Sequence, residues 1–109
     1  MSKNLQKAVK EFTIDKNKMC TETLYRKDKS CATGRWIQAC GLKEKAKNYG
    51  SAPTEVRTIL SELYNKDVCN LLNEVENVND TTKSSWKRRL TKIQKLFKDF
   101  GVKVHLKNI

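Results

Sequence analysis

Several residue types that mark catalytic or metal sites are scarce in this 109-residue chain. It has one proline, four glycines and a single histidine, His105, and it contains no C-x-x-C pair. One histidine excludes an H-E-x-x-H zinc motif, and no glycine-rich phosphate loop is present. The chain has no run of about 18 apolar residues and no apolar signal region near its start. We therefore expect neither a membrane span nor a secretory signal.

The four cysteines are separated by long, irregular gaps. Without a secretory signal, we expect reduced thiols buried as small apolar side chains rather than a disulfide framework. Zinc is the alternative cofactor, because four thiols from distant positions can still form a tetrahedron. These thiols belong to Cys20, Cys31, Cys40 and Cys69.

Positive charge dominates the chain, but unevenly. The formal net charge is +11, with +7 on residues 1–50, −4 on residues 51–81 and +8 on residues 82–109. A field of this kind attracts polyanions and accelerates association with them. It favours a partner that carries negative charge and says nothing about the fold.

Hydrophobic periodicity predicts one domain, residues 1–109, of the mainly helical α+β class. We expect five helices and a short two-stranded antiparallel ribbon. The ribbon must lie on the helices, because an isolated ribbon is only marginally stable. The predicted helices cover residues 2–12, 31–42, 51–65, 67–77 and 84–100, and the predicted strands cover residues 20–26 and 102–108.

Capping residues mark several predicted helix ends. Ser30 is expected to cap the second helix and Gly41 to end it, whereas Asp80 or Thr81 should cap the last one. Gly34 lies inside the second helix, where glycine costs about 1 kcal/mol relative to alanine. Its presence indicates that another part of the chain packs closely against the backbone there.

The segment SSWKRRLTKIQKLFKDFG, residues 84–101, divides into two faces. At 100° per residue its apolar side chains fall within an arc of about 120°, the width typical of a core-facing helix. The lysines and arginines fall mainly on the opposite side. Because rings and cations do not interleave, we expect the rings to belong to the core and not to stack on bases. The apolar residues are Trp86, Leu90, Ile93, Leu96, Phe97 and Phe100.

The basic face of this last helix is the candidate binding site. It suits a nucleic-acid backbone or an acidic protein patch, and the alternative is a solvated face that keeps the protein soluble. A membrane-surface helix is disfavoured, because the apolar side is needed for the core. The candidate contacts are Lys87, Arg88, Lys92, Lys95 and Lys98, with a second patch of Arg35, Lys43, Lys45 and Lys47.

The segment SCATGRWIQACGL, residues 30–42, resembles the C-x-x-G helix start of an uncharacterised family of small, mainly helical proteins from bacteriophages and bacteria. The similarity covers about residues 20–100. The D-G turn of the family is absent, because position 29 is lysine. The resemblance implies a helical fold and no catalytic residue. The residues that carry it are Asp28, Cys31, Gly34, Asn79 and Asp80.

Taken together, these features favour a small non-enzymatic binding protein. The Lys- and Asn-rich composition, the short length and the single domain are similar to those of phage accessory proteins, which implies a role in the host cytoplasm. By stoichiometric binding it would inhibit or modulate a nucleic-acid-associated machine, such as a CRISPR defence complex. The partner would be a host protein or a protein–nucleic-acid complex, with no membrane and no small-molecule substrate.

Two further hypotheses remain open. One is direct, largely sequence-nonspecific binding of DNA or RNA through the basic face of the last helix. The other is an enzyme that uses the Cys31 thiol, because a helix N-terminus and nearby cations lower a thiol pKa. The competing interpretation of Cys31 is a buried residue that anchors the helix start.

Overall fold

In the computed structural model, which describes residues 9–109, the first element is strand β1, Glu11–Asp15. Phe12 and Ile14 are buried, whereas Glu11, Thr13 and Asp15 are more exposed, which is the two-residue period of a strand. The helix predicted over residues 2–12 is therefore wrong at its end, because Phe12 fits both a helical stripe and an alternating strand. Residues 2–8 of that prediction lie outside the described residues.

Strand β4, Lys103–Lys107, pairs with β1 in parallel and places Val104 opposite Phe12. Its predicted alternation of buried and exposed side chains is confirmed, but its predicted antiparallel partner, residues 20–26, is wrong. β1 is the better partner because Phe12 and Ile14 continue the apolar surface that Val104 begins, and all three lie in the core.

An antiparallel ribbon does exist, but between neighbouring segments. Strand β2, Tyr25–Arg26, pairs with strand β3, Lys29–Ser30, across a two-residue turn. Lys27 in that turn has a φ of 56°, in the left-handed region. Only two residues of the predicted strand over 20–26 are therefore extended in a ladder.

The predicted α+β class is confirmed, and the described residues contain five helices. One of them, α2, lies between the predicted helices over 31–42 and 51–65, where no helix was predicted. Another, α5, carries the buried apolar stripe that the sequence predicted. The helices are α1, Ala32–Ala39; α2, Lys43–Ala46; α3, Thr54–Tyr64; α4, Cys69–Asn79; and α5, Trp86–Phe100.

Two of the predicted helix caps are displaced. The Cys31 thiol, and not Ser30, caps α1 by accepting a hydrogen bond from the Gly34 amide at 3.3 Å. Ser85 caps α5, with its hydroxyl oxygen 3.2 Å from the Arg88 amide nitrogen. Ser30 is unavailable because it pairs in β3, and the predicted caps of α5 lie several residues too early in the chain.

The close approach predicted at Gly34 is confirmed. A β-carbon added at this residue would lie 2.4 Å from the carbonyl oxygen of Leu24. That carbonyl accepts a hydrogen bond from the Cys31 amide at 3.0 Å, so the backbone before β2 is held against the first turn of α1. Only glycine leaves room for this contact.

The core lies between the inner face of the β1–β4 sheet and helices α1, α4 and α5. Phe97 of α5 is its aromatic centre, with ring centroids 5.2 Å from both Phe12 and Trp36. Trp36 and Phe97 have no exposed surface. Most of the apolar stripe of α5 is therefore used in folding, although Trp86 is only partly buried, and the opposite side of the helix is left for other roles.

A buried polar cluster orients the start of α5. The Asn79 side chain accepts a hydrogen bond from the Ala32 amide at 2.9 Å and donates one to the Cys20 carbonyl at 3.0 Å. Arg89 donates to the carbonyls of Asn79 at 2.9 Å and Ser84 at 2.8 Å. These bonds join the end of α4 to the starts of α1 and α5, and they satisfy backbone groups that burial would otherwise leave unpaired.

Candidate functional site

The candidate site is the side of α5 that faces away from the core. Leu90, Ile93 and Phe97 are fully buried on the inner side, so the helix is held firmly in place. The five basic residues predicted as contacts are all exposed. We call this set the α5 basic face: Lys87, Arg88, Lys92, Lys95 and Lys98.

Positive charge on the α5 basic face is not balanced within the described part of the chain. None of its five residues forms an ion pair with a residue in the range 9–109. The one acid on α5, Asp99, forms none there either. With a rise of 1.5 Å per residue, the face from Lys87 to Lys98 is about 16 Å long. It is a rigid cationic ridge long enough to meet several phosphates of a nucleic-acid strand.

A groove runs along one border of this ridge, between α5 and β4, and has a volume of about 890 Å³. Lys95 and Lys98 line it from the helix, and Lys103 lines it from the chain beyond the helix. Gln94, which also lines the groove, joins α5 to β4 by donating a 2.8 Å hydrogen bond to the Val104 carbonyl. Lys103 was not among the predicted contacts, although it lies on the exposed side of a strand whose alternation the sequence predicted.

The second predicted patch is less available. Lys45 and Lys47 each form a 2.9 Å ion pair with a glutamate, and the Lys43 ammonium lies 5.1 Å from the centroid of the Tyr25 ring. Arg35 is partly buried. Ion pairs at the surface contribute little to stability, but they reduce the local charge that a polyanion would meet. The second patch is therefore the weaker candidate.

Three of the six acids in residues 51–81 anchor other parts of the protein. Glu76 forms a half-buried ion pair with Arg57 at 3.4 Å. Asp80 accepts a hydrogen bond from the Glu22 amide at 3.1 Å, and Asp67 accepts one from the Cys69 amide at 2.9 Å. These three carboxylates serve as helix and loop anchors, whereas the other three acids of this segment are exposed.

Burial decides the chemistry of the cysteines. Cys20, Cys31 and Cys40 are buried, as predicted, whereas Cys69 is exposed. Burial raises the pKa of Cys31 to about 12 and that of Cys40 to about 11. The lowered pKa predicted for Cys31 is wrong, because desolvation outweighs the favourable position at a helix start. Its thiol anchors α1 instead.

Metal ligands do not cluster in the described residues. Within residues 9–109, no group of three or more His, Cys, Asp or Glu side chains could hold a metal ion. His105 pairs its Nε2 with Glu11 at 3.0 Å on the exposed side of the parallel sheet. That hydrogen bond, with the nearby imidazole charge, lowers the pKa of Glu11.

Comparison with known proteins gave no match to a protein-family model, to a curated protein or to a solved structure. The resemblance to small phage and bacterial proteins therefore stays a prediction. Among the described residues, no helix is both long and apolar enough to cross a bilayer.

Proposed function

We propose that the protein is a non-enzymatic binding protein whose α5 basic face binds the phosphate backbone of DNA or RNA. The observation that carries this proposal is the set of five exposed cations that have no carboxylate partner among the described residues. Each cation that meets a phosphate releases counterions, which is the main driving force of sequence-nonspecific binding. The rigid helix keeps the cations in place before the nucleic acid arrives.

The composition of the α5 basic face favours phosphate contacts over base recognition. The rings of α5 lie on its other side, where Phe97 is buried and Phe100 packs against Trp36 and Tyr64. Base stacking, which contributes most to single-strand binding, therefore has no platform on this face. Contacts to phosphate position a protein on nucleic acid but carry little sequence information.

Such binding would act on a host nucleic-acid-associated machine by occupying its nucleic acid. A protein of 109 residues that covers a short stretch of backbone blocks access stoichiometrically and needs no catalytic step. The small size and the Lys- and Asn-rich composition support, by analogy with phage accessory proteins, a defence complex in the host cytoplasm as the setting. The raised pKa of Cys31 removes the argument for a nucleophilic thiol and so also favours a binding role.

Charge reversal on the helix tests the proposal. The triple variant Arg88→Glu, Lys92→Glu and Lys95→Glu should lose nearly all affinity for duplex DNA in fluorescence anisotropy at moderate salt. All three side chains are exposed, so each substitution should change the free energy of unfolding by at most about 0.5 kcal/mol. Circular dichroism and thermal unfolding verify that the variant is folded.

A charge-matched control uses the second patch. Lys43→Glu, Lys45→Glu and Lys47→Glu change the net charge by the same amount, at residues whose charge is already partly neutralised. This control should lose clearly less affinity than the α5 variant. Equal losses would mean that only net charge matters. The contrary outcome is that both variants keep their affinity for duplex DNA while the wild-type protein captures one host protein after nuclease treatment. That result would assign the α5 basic face to an acidic protein surface.

A further inference from the structure

A second cationic site lies beside the start of α5, outside the α5 basic face. It is a depression of about 340 Å³ between the β2–β3 hairpin and the first turn of α5. None of its lining residues is Asp or Glu. The polar and aromatic groups in its wall come from Arg26, Lys29, Arg89, Thr21, Thr82 and Trp86.

The charge of Arg89 is the first reason to expect an anion here. Its side chain is only 6% exposed, yet its guanidinium forms no ion pair with a carboxylate in the described residues. Its partners are neutral: the carbonyls of Ser84 and Asn79, and the Trp86 ring at 4.0 Å from the centroid. Buried charges are normally paired with an opposite charge, and this one has only dipoles and a ring.

The hairpin adds a second, independent reason. Arg26 and Lys29 are directly opposite each other in the β2–β3 ladder, and both line the depression. Like charges in that position destabilise a strand pair. The ladder is only two residue pairs long, so it has little other stabilisation to offset the repulsion. An anion between the two side chains would turn this repulsion into attraction.

From these contacts we propose that the depression binds the phosphomonoester of a nucleotide, either free or at the end of a strand. A phosphomonoester carries about −1.5 to −2 charges at neutral pH and offers three acceptor oxygens. A phosphomonoester therefore matches the three cations and two threonine hydroxyl groups of the depression better than a backbone phosphodiester does, because a phosphodiester carries only a single charge. The site goes beyond the proposed function, because it does not require the α5 basic face.

Fluorescence of Trp86 offers a direct test. Trp36 is fully buried, so a ligand in the depression should change the emission of Trp86, and Trp86→Phe should abolish the change. We expect cytidine 5′-monophosphate to bind about tenfold or more tightly than cytidine, since charge-assisted hydrogen bonds supply the difference. Equal responses to the two compounds, or none, would overturn the proposal.

Variants of the hairpin show whether the response comes from this site. The double variant Arg26→Gln and Lys29→Gln should lose the preference for the phosphorylated compound. Lys27→Gln should keep it, because Lys27 lies in the same turn but does not line the depression. A preference that survives in the double variant would contradict the assignment.

Two more measurements separate this site from the α5 basic face and identify its ligand. The Arg88→Glu, Lys92→Glu, Lys95→Glu variant should retain the response to the nucleotide, even though it loses duplex binding. Oligonucleotides with a 5′-phosphate, a 3′-phosphate or hydroxyl ends then distinguish a strand end from a free nucleotide as the source. Inorganic phosphate that binds as tightly as the nucleotide would show that the depression takes free phosphate and would overturn its assignment to nucleotides.

Discussion

At the scale of single residues, Gly34 is held directly beneath the backbone of Leu24. A β-carbon 2.4 Å from a carbonyl oxygen cannot be accommodated without moving β2 away from α1. Gly34→Ala should therefore lower the free energy of unfolding by about 1–3 kcal/mol, although alanine is the better helix former. Urea unfolding measures the effect.

Gly50 is the matched control for that substitution. Its added β-carbon would meet only the Glu22 carbonyl oxygen, at an ordinary 3.8 Å. Gly50→Ala should change stability by no more than about 0.5 kcal/mol. If Gly34→Ala proved as harmless as Gly50→Ala, the close contact between α1 and the chain before β2 would be wrong.

Three of the five residues that carry the resemblance to phage and bacterial proteins have clear structural roles here. Cys31 caps α1, Gly34 admits the Leu24 carbonyl, and Asn79 bonds to the backbone at both Ala32 and Cys20. The close packing at Gly34 could be predicted, because glycine inside a helix is locally unfavourable. The role of Asn79 could not, since its partners are 47 and 59 residues away in the chain.

At the scale of elements, α5 depends on its N-cap. Ser85 accepts the Arg88 amide and satisfies one of the unpaired N–H groups in the first turn. Ser85→Ala should cost about 1 kcal/mol in thermal or urea unfolding. Thr82→Ala, at an exposed residue before the helix, should cost less than about 0.5 kcal/mol. Equal costs would place the helix start earlier, nearer to the cap predicted from the sequence.

The two faces of α5 and its end at Gly101 were predictable because they depend on local spacing. Gly101 has a φ of 99°, the conformation that favours glycine after a helix. The pairing of β1 with β4 was not predictable in the same way. It joins strands about 90 residues apart, so register and direction follow from how the whole core packs rather than from either segment.

At the scale of the whole molecule, buried thiols tie stability to alkaline pH. Burial raises the pKa of Cys31 to about 12 and that of Cys40 to about 11, from an ordinary value of 9.0. The folded protein thus holds protons that the unfolded chain releases above about pH 9. The contribution of these thiols to the free energy of unfolding is complete below about pH 9 and is lost as the pH rises through their folded-state pKa values of about 11 and 12.

Urea unfolding at neutral pH and above about pH 10 measures this dependence. We expect stability to fall across that interval and the fall to be shallower in Cys40→Ala, which removes one of the buried thiols. A free energy of unfolding that stays constant or rises would contradict the burial of these side chains. Labelling with a thiol reagent at neutral pH adds a check, since Cys69 is exposed and should react first.

The charge of the whole molecule was readable from composition, but the sequence did not show which part of it is free to bind. Lys45 and Lys47 look equivalent to the lysines of α5 along the chain. In the fold they meet glutamates, whereas Lys92 and Lys95 meet no carboxylate among the described residues. Such differences depend on which surfaces the tertiary structure brings together.

The most direct test of the central claim is the salt dependence of duplex DNA binding, measured by fluorescence anisotropy from low to physiological salt. If all five cations of the α5 basic face meet phosphates, log Kobs should fall against log salt with a slope of about −4.5. The Arg88→Glu, Lys92→Glu, Lys95→Glu variant retains two of them, so its slope should be about −1.8 or shallower. An unchanged slope in the variant, or no binding by the wild-type protein even at low salt, would contradict the account.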